Sequence, residues 1–202
     1  MPISALNRFV AIHPRALAGD KRGSAAVEFG FLLPLMTLML LGTIELGRAI
    51  NMDRVFTMAT DVSGDLVARE EYLGTSSTDA KSNLDSMMLS VKQIMQPYDS
   101  TSLQLGIFSV QASPTNATDT RVVWSYSYNG KSVPSKCATY ALPTGLVPKG
   151  GSAIVVESSY VFKPLFTIII PGNMTWTDKS FHSPRNSCVD YVKGDNCSTL
   201  SC

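Results

Sequence analysis

Residues 21–48 read KRGSAAVEFGFLLPLMTLMLLGTIELGR, and this stretch decides how the rest of the chain is read. From Phe29 to Ile44 it runs 16 residues without a charge. With the small residues from Ser24 to Val27 before it and Leu46–Gly47 after it, the segment covers 24–47. About 20 helical residues at roughly 1.5 Å each span a bilayer core, so a single transmembrane helix is expected here. Pro34 falls inside it, where a membrane helix absorbs the lost hydrogen bond through neighbouring groups.

Charge is distributed around this segment in a way that sets topology. Residues 1–23 hold Arg8, Arg15, Lys21 and Arg22 against Asp20, a local balance of +3. From Arg48 onward 13 basic and 13 acidic residues cancel, and the whole chain carries +1. A basic start, an apolar middle and a neutral remainder keep the start in the cytoplasm and send residues 48–202 across the membrane. The near-zero net charge argues against a nucleic-acid partner. The expected localisation is the inner membrane, single-pass, with the carboxyl-terminal domain periplasmic or extracellular.

Glu28 is the anomaly. A carboxylate inside an apolar helix costs about 2.5–3.5 kcal/mol at the bilayer centre and less near its edge, so it either sits solvated at the interface or calls for a partner. It stands fifth after Gly23, which follows Lys21 and Arg22.

This string, a basic leader, Gly23, the small Ser24, then Glu28-Phe29 and an apolar run, resembles the cleavage region of type IV pilin-like precursors. More narrowly, AAVEF, the apolar run and the Gly-Arg of ELGRAI resemble the TadE-like pseudopilins of the tight-adherence (Flp-type) pilus system. A second stretch, 155–185, also resembles that family: a strand, Pro164-Leu165-Phe166, apolar Ile168–Ile170, Gly172, a strand and Pro184-Arg185. The resemblance implies cleavage by a prepilin peptidase between Gly23 and Ser24. It also implies that Glu28, with Phe29, serves assembly by pairing with a free amino terminus. The implied partners are that peptidase, other pilin and pseudopilin subunits, the inner-membrane assembly platform and membrane lipid. The alternative is a single-pass anchored or secreted binding protein unrelated to pili, since Gly47-Arg48-Ala49 offers a small-x-small site for signal cleavage before Ile50, although the apolar core exceeds the usual signal length.

Beyond the anchor, Met52, Val55, Phe56, Ala59, Val62 and Leu66 recur at helical spacing, continuing the first helix to about Glu71, with Gly64 as a weak point. A second helix is expected from Thr78 or Asp79 to Gln96, stopped by Pro97, with methionines as core filler. Strand patterns then follow at 103–107, 122–128, 153–162 and 173–181, with a Pro/Gly-rich loop at 131–151. The fold class is α+β: a long amino-terminal helix, a second helix, then an antiparallel sheet of about four strands. Trp124, Tyr126 and Tyr128 share one face, expected to pack on the helices rather than to form an assembly patch.

No enzyme is expected. G-x-S-x-G and H-E-x-x-H motifs are absent, and Gly130-Lys131-Ser132 lacks the earlier glycine of a phosphate loop. No cofactor is implied. His182 with Cys188, Cys197 and Cys202 offers a zinc set in principle, but no tight C-x-x-C spacing supports it. On an oxidising side, Cys137, Cys188, Cys197 and Cys202 read as disulfide candidates, with Cys137 bridged to the tail, and no metal site is expected.

Overall fold

The computed structural model describes residues 23–195. The basic leader before Gly23, and the candidates Cys197 and Cys202, lie outside the described residues.

Helix α1 runs unbroken from Ser24 to Ala68, through Pro34. The chain nevertheless divides into two compact units between Ile44 and Glu45, so α1 contributes to both. In the first unit the apolar side chains are exposed, Phe31 by 80% and Met39 by 66%, and α1 is long and apolar enough to cross a membrane. Its hydroxyls bond along the helix: Thr37 Oγ1 donates to the Leu33 carbonyl at 2.8 Å and Thr43 Oγ1 to Leu40 at 2.8 Å. That spares the apolar span an unsatisfied polar group.

The second unit is α+β. After α1 come α2 (Ser77–Ile94), a short 3-10 turn (Ser100–Ser102), and strands β1 (Gln104–Ala112), β2 (Thr120–Tyr128), β3 (Ser152–Phe162) and β4 (Met174–His182). The strands form one antiparallel sheet in the order β2-β1-β3-β4. α1 lies along β3 in the opposite direction. Phe56 meets Tyr160, Thr60 Oγ1 and Ser158 Oγ are 2.7 Å apart, and Val156 faces Gly64. Eight helical residues advance about 12 Å and four strand residues about 13 Å, so the two elements stay in step over this contact.

Gly64 is the point of closest approach. A Cβ there would come within 2.9 Å of Val156 Cγ2 and overlap the His182 ring. The residue that weakens the helix in isolation is required by its packing on the sheet.

α2 begins two or three residues earlier than its sequence pattern predicts. Ser76 is the N-cap, its hydroxyl accepting from Asp79 N at 3.1 Å. Asp79, three residues on, reaches back instead to Thr75 N at 2.8 Å, a reciprocal cap of the capping-box kind. Leu84, Met88, Val91 and Met95 are fully buried against α1 and the sheet, so the methionines do fill core. Trp124 and Tyr126 are buried in the same core, their polar tips satisfied by the Val189 carbonyl and the Asp85 carboxylate.

The opposite sheet face holds Phe108, Val110, Val122 and Val155, covered in part by Tyr140 and Leu142 of the 131–151 loop. That loop also follows the β2 edge, with Val122 N bonded to Ala138 O at 2.9 Å and Cys137 N to Val122 O at 2.8 Å. A backbone edge that would otherwise invite another strand is thereby closed. The segment after β4 pairs back on the loop after α1, with Leu73 N to Asp190 O at 2.9 Å and Asp190 N to Glu71 O at 3.1 Å.

Candidate processing and assembly site

Two groups of residues carry the chemistry, one in each unit. At the start of α1, Gly23 and Ser24 mark the turn into the helix, and a Cβ on Gly23 would meet nothing within 4 Å. Among the described residues no side chain packs on the scissile position expected from the sequence. The Ser24 hydroxyl donates to Glu28 Oε1 at 3.0 Å, one helical turn away. Phe29 is 58% exposed. The i, i+4 spacing also puts the backbone nitrogen of Ser24 within the same turn as Glu28, so a new amine there would share that carboxylate's side of the helix.

The second group was only half visible in the sequence. Glu45, counted there as part of the apolar span, is fully buried in the second unit. Its carboxylate accepts from Leu165 N at 3.2 Å and from Phe166 N at 3.4 Å, and Arg48 Nη1 lies 3.2 Å away. Arg48 in turn sits 5.9 Å over the Phe162 ring, which stacks on Trp176 at 5.0 Å. A buried carboxylate is tolerable only when its lone pairs are used, and here two backbone donors and a guanidinium use them. The ELGR sequence and the Pro164-Leu165-Phe166 sequence, noted separately for their resemblance, are thus two halves of one contact. The signal available in advance was a glutamate at the end of an apolar run, three residues before an arginine.

The loop that follows, 163–171, turns on itself through Ile169 N and Ile170 N bonded to the Phe166 carbonyl at 3.0 and 3.3 Å. It leaves Leu165 64% and Ile168 76% exposed.

Among the described residues no group of His, Cys, Asp and Glu is arranged to hold a metal. Of the cysteine candidates, Cys188 is buried and neither it nor Cys137 is a free thiol. His182 hydrogen-bonds with Ser180 Oγ at 3.1 Å beside Gly64. On the outer sheet face Glu157 receives Lys179 Nζ at 2.7 Å and the Tyr140 hydroxyl at 2.9 Å. Burial alone would raise the Glu157 pKa, but these two donors outweigh it and hold the carboxyl below its ordinary value.

Compared with known families, residues 23–64 match the model described as TadE-like protein. Over this segment the chain is similar to TadE-like proteins. The matched segment contains Gly23, Ser24, Glu28 and Phe29, and also Glu45 and Arg48. It ends at Gly64 and does not reach 155–185, where the resemblance is one of sequence pattern alone. TadE-like proteins are associated with the tight-adherence pilus system and with pilins in general. No curated protein and no solved structure matches the chain.

Proposed function

We propose that this protein is a minor pilin or pseudopilin needed for assembly of a tight-adherence (Flp-type) pilus. The TadE-like match across 23–64 carries the reading, because it takes in the Gly23-Ser24 junction, the Glu28-Phe29 pair and the apolar helix together. A prepilin peptidase cuts after Gly23 and removes the basic leader. The remaining α1 holds the subunit in the inner membrane, with the α+β unit on the far side. Cleavage turns the Ser24 nitrogen into a positive amine, and Glu28 supplies the opposite charge, either to its own amino terminus or to that of a neighbouring subunit. Only the second pairing drives assembly. The cysteines, once exported, close disulfides that fix the tail.

The test is Glu28→Gln, which keeps the shape and the acceptor for the Ser24 hydroxyl but removes the charge. The variant should be inserted and processed normally, since an uncharged amide is cheaper in lipid. Filament yield and subunit crosslinking should collapse. Normal pili built from normally processed Glu28→Gln protein would refute the assembly role.

A further inference from the structure

The exposed aliphatic loop 163–171 has no role in the reading so far. Three observations bear on what covers it. First, Glu45 binds the backbone of Leu165 and Phe166, and Glu45 is the residue directly after Ile44, where the uncharged run ends. The loop backbone is therefore bonded to the first residue after the uncharged run. Second, the loop is held outward by those hydrogen bonds and by its own turn at Phe166, leaving Leu165 and Ile168 uncovered. Third, from Lys163 to Thr177 the only charged residue is Lys163, and Trp176 lies at the end of that stretch, half-buried on Phe162. Aliphatic side chains with a cation and an aromatic at the end of a membrane span match the headgroup–acyl boundary, where Trp concentrates and cations meet anionic lipid. A protein partner would more commonly be matched by charges on the rim of the patch.

We infer that loop 163–171 is a second membrane contact, with Leu165 and Ile168 seated in the outer boundary of the same bilayer that α1 crosses. The Glu45 carboxylate is its positioning residue, coupling the loop to the helix. The subunit is then held at two points, which restricts its tilt and rotation on the membrane surface. The inference rests on the anchor reading of α1.

Full-length protein is reconstituted in phosphatidylcholine/phosphatidylglycerol vesicles with brominated or plain acyl chains, and tryptophan fluorescence is compared. Three variants each add one tryptophan at an exposed position: Ile168→Trp in the loop, Leu38→Trp in the apolar helix, and Leu146→Trp. Leu146 adjoins Val147, which packs on Ala153 at the far end of β3, about 30 Å of strand from Phe162. Bromolipid quenching beyond that of the parent protein should be at least twofold greater for Ile168→Trp and Leu38→Trp than for Leu146→Trp. Quenching of Leu38→Trp but not of Ile168→Trp would overturn the loop contact and leave the anchor standing. An unquenched Leu38→Trp would remove the anchor and the loop contact with it. A blue-shifted, unquenched Ile168→Trp would assign the loop to a second copy of the chain and overturn the lipid contact.

Discussion

Replacing Glu45 by alanine tests the contact that joins the amino-terminal segment to the carboxyl-terminal loop. The side chain is fully buried and serves Leu165 N, Phe166 N and Arg48. Hydrogen bonds to a charged acceptor contribute about 1.5–3 kcal/mol each, and breaking a buried pair from one side costs about 3–5 kcal/mol. Arg48 is 29% exposed and regains water when its partner is lost, which puts the total near the lower end, at about 3 kcal/mol. For a unit of this size each kcal/mol moves Tm by about 2–4 °C, so Glu45→Ala should lower Tm by roughly 6–12 °C. Glu45→Gln keeps one acceptor and should lose about half as much. Near-UV circular dichroism of the detergent-solubilised chain reads Tm, and amide hydrogen exchange reads Leu165 and Phe166 directly. A Glu45→Ala shift below about 2 °C with those two amides still protected would refute the reasoning.

Three other outcomes follow from the geometry. Gly64→Ala should destabilise the second unit by about 1–2 kcal/mol by thermal unfolding, because the overlap with His182 and Val156 exceeds the helix-propensity gain of about 1 kcal/mol; a stabilised variant would contradict the close approach. The Glu157 carboxyl titrates below its ordinary value in the fold, so its contribution is present above about pH 4.3 and is lost as pH falls through the folded pKa; Lys179→Met should shrink that acid-side loss in a pH series of Tm values. Gly23→Val should block processing in cells carrying the matching peptidase, because a β-branched side chain crowds the scissile bond, and unprocessed precursor on an immunoblot checks it.

The sequence was most readable where periodicity is strong and local. The expected third and fourth strands, 153–162 and 173–181, differ from β3 and β4 by a residue at the ends. The alternating pattern at 103–107 covers only the first part of β1, which runs on to Ala112 with Ser109 and Gln111 buried and a register shift between Ser109 and Val110. The sequence offers Thr78 or Asp79 as the α2 cap because either can accept a backbone hydrogen bond, whereas Ser76 does so; the choice depends on backbone angles that composition does not reveal. Gly64 was read by its propensity, while its role depends on His182, which arrives from β4. Glu45 was hidden for the same reason: its backbone partners lie 120 and 121 residues later in the chain. At the amino terminus the reverse holds. Glu28 stands out because it is a lone charge in an apolar run, and among the described residues its surroundings add the Ser24 hydroxyl.

The most direct test of the pilus-subunit reading is the amino-terminal residue of the mature protein, read by Edman degradation or intact mass from membranes of expressing cells. Processing by a prepilin peptidase predicts a chain beginning at Ser24 and lacking the basic leader. A chain beginning at Met1, or one beginning at Ile50 after signal-type cleavage, would contradict it.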